Sequence, residues 1–195
     1  FAVASGATDV VLVGYGTGAT AAAMLMHESD WSARVAGLVF DAPVLDAGAI
    51  ADRVAARRRV PGFVVPMAKG LAGLRFGIDW GRIDQDRRAG EFEVPIHLYQ
   101  GDAHGEIPVA ASDAFAASLP VLVTYVRVAG GSAGASWNAG PDRYADALTG
   151  FLADVALGES DLEPPVAGED LVPGSVQGDE ETLHVVGLEM IEAGE

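Results

Sequence analysis

The sequence predicts an α/β domain, a mostly parallel sheet flanked by helices, and three observations carry that prediction. Short β-branched runs alternate with alanine-rich stretches in the manner of successive βα units. The runs are nearly continuous in apolar residues, as strands buried on both faces should be. Half of the 195 residues are apolar and 21% are charged, which is enough to pack one core and leaves little room for two.

Taken in order, the first run is residues 10–13, followed by a glycine turn and a helix expected over 18–27. The second run is 36–40 and the third 96–99, with a helix expected over 108–118. The fourth run is 121–128, and the helix expected over 142–156 places Tyr144, Leu148, Phe151, Leu152 and Val155 at helical spacing. Residues 46–92 interrupt this alternation with Gly62, Gly70, Gly73, Gly77 and Gly81 and with Pro61 and Pro66, and read as a lid-like excursion over one edge of the sheet. The first seven residues read as the end of a helix, and the chain opens at Phe1 on what looks like a central strand. Strands before it are therefore expected to be missing, and the sequence to be a fragment or a processed chain.

Composition and charge divide the chain again near its end. The domain is expected over 1–156 and an acidic tail over 157–195, where residues 159–195 hold 11 acids and neither lysine nor arginine. Pro164, Pro165 and Pro173 fit a linker or solvated extension, and the apolar run 183–188 reads as a strand that docks back or pairs with a partner. A net charge of −16 should repel nucleic acid and anionic lipid, so neither is expected as a partner. The one basic cluster, Arg57, Arg58 and Arg59, reads as a solvated helix end. With no cysteine the chain has no disulfide, thiolate metal site or catalytic thiol. No apolar run reaches the ~18–20 residues of a membrane span, and the expected compartment is the cytoplasm.

The most informative segment is the turn Gly14-Tyr15-Gly16-Thr17-Gly18 between the first strand and its helix. Two chemistries use such a turn. In one, Gly14, Gly16 and Ala19 satisfy G-x-G-x-x-G/A, the open helix N-terminus cradles a pyrophosphate, and Asp41 after the next strand takes a ribose hydroxyl, which would make the chain a dinucleotide-binding domain. In the other, the turn is a nucleophile elbow of the form G-x-S-x-G, whose tip presents a hydroxyl above the sheet while the next amide, here that of Thr17, holds an oxyanion. The tip is Gly16, which has no side chain to attack anything.

Two further stretches bear on the choice. Gly101-Asp102-Ala103-His104-Gly105-Glu106-Ile107-Pro108 after the third strand resembles the acid-bearing segment G-x-x-D-x-x-V-P of α/β-hydrolases. Gly130-Gly131-Ser132-Ala133-Gly134-Ala135-Ser136-Trp137 with Pro141 and Tyr144 resembles their histidine loop and final helix. Together with the elbow, the resemblance covers about residues 1–156 and implies an esterase-, lipase- or peptidase-like scaffold that acts on acyl substrates through a serine.

Carried over position by position, that resemblance implies no turnover. The nucleophile position falls on Gly16, the acid position on His104 and the histidine position on Ala133, so no member of the triad stands in its place. The upstream loop that supplies the second oxyanion donor is not in this chain. Thr17 lies one residue past the tip and is better suited to offer its amide than its hydroxyl. His104 beside Asp102 or Glu106 faces no nucleophile. Ser132 and Ser136 read as residues that satisfy loop backbone groups, His27 as a partner of a helix dipole, and His97 as a packed, hydrogen-bonded strand residue. Four scattered histidines make no metal site, and no cofactor is implied outside the dinucleotide reading. The expectation is a catalytically inactive relative of the serine hydrolases that keeps a crevice for a small acyl-type ligand. The alternative is an ester or amide hydrolase completed by missing N-terminal sequence or by a partner protein, whose identity the sequence leaves unknown.

Overall fold

A computed structural model describes residues 6–102, 107–131 and 136–158. Its elements run β1 (Val10–Tyr15), α1 (Thr17–Glu28), β2 (Val35–Asp41), α2 (Ala47–Arg57), α3 (Val64–Phe76), β3 (Ile96–Gly101), α4 (Val109–Ser118), β4 (Val123–Val128), α5 (Ser136–Ala139) and α6 (Pro141–Leu157). The four strands form one parallel sheet in the order β1-β2-β3-β4, as the apolar runs predict. Of the helix end read over the first seven residues, 6 and 7 are a turn and irregular backbone and 1–5 lie outside the described residues; of the tail read over 157–195, Leu157 ends α6, Gly158 caps it and 159–195 lie outside them.

Alternation along the strands divides the core into two layers. Leu38, Phe40, Ile96, Leu98, Phe92 and Phe115 pack on the face that carries α1 and α4. On the other face Val39, Tyr99 and Val128 meet Tyr144 and Phe151 of α6. Each of these large side chains contributes roughly 1.5–3 kcal/mol by leaving water. Gly37 makes the second layer possible, because a Cβ there would lie 3.1 Å from both Phe151 and Val155.

The first run, read from the sequence as a central strand with the strands before it missing, is an edge strand among the described residues. Among the described residues no strand lies on its outer side, and Val13 and Tyr15 are exposed. Residues 46–92 are also more regular than expected. Asp46 caps α2 by accepting a hydrogen bond from the Ala49 amide at 2.8 Å, and Gly77 ends α3 in the left-handed conformation that favours glycine.

The same segment is pinned to the domain by a polar cluster. Arg82 and Arg88 both pair with Glu28 at the end of α1, and Arg88 also pairs with Glu91. His27 lies inside this cluster rather than serving as a charged partner of the α1 dipole. Its ring is 3.1 Å from Gln85 and 3.3 Å from Glu91, and burial, aided by Arg88, lowers its pKa and favours the neutral ring.

Candidate functional site

Parallel strands all deliver their chains to the same end of the sheet, and there the loops after β1, β2, β3 and β4 meet. Gly14 closes the first of them. A Cβ at Gly14 would sit 2.5 Å from the backbone of Ala19, so only glycine lets α1 start this close to β1. Gly16 forms the tip at φ 53° and ψ −116°, a conformation open to glycine and strained for other residues.

Hydrogen bonds hold the tip in place. The Gly16 amide donates to the Asp41 carbonyl at 2.9 Å, and the Gly16 carbonyl accepts from the Val44 amide at 3.2 Å. Thr20 Oγ1 donates to the Val44 carbonyl at 2.6 Å. The space above the tip is open, since an ideal Cβ on Gly16 or on Gly18 meets nothing within 4 Å. Thr17 is exposed and opens α1, where first-turn amides have no acceptor within the helix.

Beside the tip, Asp41 ends β2 and is fully buried. Ser136 Oγ donates to its Oδ1 at 2.6 Å, while Oδ2 has no hydrogen-bond partner among the described residues, and burial raises the pKa of this carboxyl. Ser136 therefore satisfies a carboxylate rather than the loop backbone. Tyr144 stacks on Tyr99 with ring centroids 4.2 Å apart, and Tyr99 Oη donates to the Tyr144 carbonyl at 3.3 Å. The Tyr144 hydroxyl is buried without a hydrogen bond of normal geometry, and burial together with the neighbouring Tyr15 hydroxyl pushes its pKa up. Trp137 closes edge-on over Tyr144 at 5.5 Å.

The loops after β3 and β4 are held together backbone to backbone. A Cβ on Gly131 would lie 3.0 Å from Gly101 Cα, and Asp102 Oδ1 accepts from the Gly130 amide at 2.6 Å. This contact joins the two segments that the sequence reads as the acid loop and the histidine loop. His104, Glu106, Ser132 and Ala133 themselves lie outside the described residues.

The structure thus brings together Gly16, Thr17, Asp41 and Ser136, and leaves His27 and His97 away from the crevice. His97 is packed as expected, between Tyr99 and Phe151 at 4.5 and 5.4 Å, yet neither ring nitrogen has a hydrogen-bond partner, contrary to expectation. Among the described residues no three histidine or carboxylate side chains are grouped to hold a metal ion. Asp41 turns its carboxyl to Ser136 below the surface, so it presents no oxygen to the ribose hydroxyl that the dinucleotide reading assigns to it. Its environment was illegible in the sequence, because burial comes from α5 and α6, about a hundred residues downstream.

Sequence comparison returns no matching family model and no matching curated protein. Comparison of the structure does give matches. An esterase from Rhodococcus sp. ECU1013, RhEst1, is 17% identical with a TM-score of 0.51, over 79% of this chain and 69% of that one. MGS-MChE2, an α/β hydrolase enzyme from a lagoon-sediment metagenome of Mar Chica, Morocco, is 15% identical with a TM-score of 0.54, over 79% and 65%. A monoacylglycerol lipase of Paleococcus ferrophilus is 15% identical with a TM-score of 0.53, over 75% and 69%.

The fold is that of the α/β-hydrolases. At these identities the likeness is one of fold, and the chain spans about two-thirds of the length of these three solved chains. The turn at Gly14 to Gly18 leads from β1 directly into α1, with Gly16 at its tip. Among the described residues no helix is long and apolar enough to cross a membrane.

Proposed function

We propose that this chain is a non-catalytic α/β-hydrolase-fold protein that holds a small acyl-type ligand in the crevice at the strand C-termini. One observation carries the reading. The residue at the elbow tip is Gly16, in the strained geometry of a nucleophile elbow with open space above it and no atom to form an acyl bond. The reading is supported at the other two triad positions by the sequence alone, His104 and Ala133.

What remains at the crevice suits binding. The first-turn amides of α1 face an anionic or carbonyl oxygen at a helix N-terminus. Thr17 supplies an amide here rather than a nucleophile, and no cofactor takes part.

Incubation with p-nitrophenyl acetate and butyrate, alongside a fluorophosphonate probe, tests the reading. Hydrolysis is expected to stay at the buffer rate and the protein to stay unlabelled. Stoichiometric labelling would show an active hydrolase and overturn it. Gly16→Ser is expected to fold with a loss of about 1–3 kcal/mol from its left-handed backbone and still to show no acyl-enzyme burst, because Ala133 provides no base. Substantial esterase activity from that single change would place an imidazole at the crevice after all. Short-chain fatty acids are expected to raise the melting temperature in a thermal shift assay, and NAD to leave it unchanged.

A further inference from the structure

The α2–α3 segment departs from the rest of the surface in two respects. Along and just before α3, Phe63, Met67, Leu71 and Leu74 recur at spacings that put them on one stripe, and all four are exposed, Leu74 to 86%. An exposed apolar stripe of this extent marks an interaction surface. Its charge is equally unusual. Residues 47–76 carry six of the chain's 12 basic residues and a single acid, Asp52, which pairs with Lys69 at 2.7 Å.

Chemistry complementary to this surface exists in the same chain. Residues 159–195 carry 11 acids and no lysine or arginine, and their apolar run 183–188 is bracketed by Glu180, Glu181 and Glu189. Thirty-seven residues at roughly 3.3 Å each reach on the order of 100 Å from Gly158, farther than a domain of this size is wide. We propose that residues 159–195 dock on the α2–α3 surface, with 183–188 against the Phe63–Leu74 stripe and the tail carboxylates opposite Arg53, Arg58, Arg59 and Arg75.

Charge and tethering favour this occupant over the alternatives. A second copy of α3 would set one basic surface against another. An anionic lipid surface would have to admit a chain of net charge −16. A tethered tail is presented at an effective concentration of up to about millimolar.

The absence of cysteine allows a direct test on the full chain. Leu71→Cys places a thiol on the stripe, where Leu71 is 65% exposed among the described residues, and Val121→Cys places one at a control position that is 72% exposed. Alkylation by N-ethylmaleimide is expected to be about tenfold slower at 71 than at 121, the protection given by a docked state populated about ten to one. Val185→Asp with Val186→Asp should restore the control rate at 71, and so should Arg58→Glu with Arg59→Glu. Salt at 1 M, where the Debye length is about 3 Å, should weaken the protection. Far-UV circular dichroism of each variant confirms that the domain stays folded.

Equal rates at 71 and 121 in the otherwise unaltered chain would overturn the proposal. Slow alkylation that persists with the altered tail, or that deepens with protein concentration, would assign the surface to another part of the chain or to a second copy. Protection that arises only with phosphatidylserine vesicles would assign it to lipid. Each of those outcomes also overturns the proposal.

Discussion

At the scale of single residues, one buried and one half-buried polar side chain tie stability to pH. His97 is buried in β3 with both ring nitrogens unpaired, and burial lowers its pKa from 6.5 to about 4. Its sign is unambiguous. The unfolded chain takes up a proton between those values and the folded one does not, so this residue's contribution is intact above pH 6.5 and is lost as pH falls toward 4. At 1.36 kcal/mol per pH unit the loss is about 3 kcal/mol. Asp86 acts in the opposite sense. Burial, with Asp84 and Asp46 nearby, raises its pKa to about 6, so it favours the folded state at low pH and disfavours it as pH rises toward 6. The two partly cancel. His97→Leu is therefore expected to stabilise the protein by about 1 kcal/mol at pH 7, since it removes two unsatisfied nitrogens, and by more at pH 4.5. Urea denaturation at the two pH values measures both, and equal stabilisation at each would show that His97 titrates normally.

Ser136 is the other residue with a measurable role. Its hydroxyl is the one side-chain hydrogen-bond donor to the buried Asp41 carboxyl among the described residues, so Ser136→Ala removes that bond and leaves the carboxyl only the Ser136 backbone. A loss of about 1–3 kcal/mol in urea denaturation is expected. If the loss stayed below about 0.5 kcal/mol, the exposed-surface range, Asp41 would be satisfied by other means.

At the scale of elements, the elbow depends on close approach of β1 and α1. Gly14→Ala would put a methyl 2.5 Å from the Ala19 backbone, which neither neighbour can avoid by a rotamer change. A destabilisation of about 1–3 kcal/mol is expected from overpacking, with a matching fall in melting temperature. Gly18→Ala, where the added methyl meets nothing, serves as the tolerated control.

Elements also show how far the sequence is legible. The strands were readable because apolar residues run nearly unbroken where both faces of a sheet are covered, as at Leu38, Val39 and Phe40. The glycine spacing announced the turn, where Gly14 answers a close approach and Gly16 a positive φ, whereas Gly18 answers neither. α2 and α3 were hidden by their glycines and prolines, although Pro66 stands in the first turn of α3, where a missing amide costs no helical hydrogen bond. The Asp46 cap was the available signal. The environments of Asp41 and His97 were not legible at all, since they are created by α5 and α6 packing onto strands distant in sequence.

At the scale of the whole molecule, the parallel sheet does two jobs with one set of strands. Its middle holds the two apolar layers, and its C-terminal end gathers the loops of the crevice. The glycine pair 101 and 131 ties the loops after β3 and β4 into one wall, while the bonds from Gly16 and Thr20 to the Asp41–Val44 stretch tie the loops after β1 and β2 into the other.

The outer side of β1 has a consequence for how such molecules behave in company. Among the described residues β1 has one bare flank, and an identical flank on a neighbouring molecule is complementary to it. What holds neighbours apart is their shared surplus of negative charge, whose reach is about 30 Å in dilute electrolyte and about 3 Å in brine. The shelf life of a concentrated stock is thereby governed by its buffer as much as by its fold.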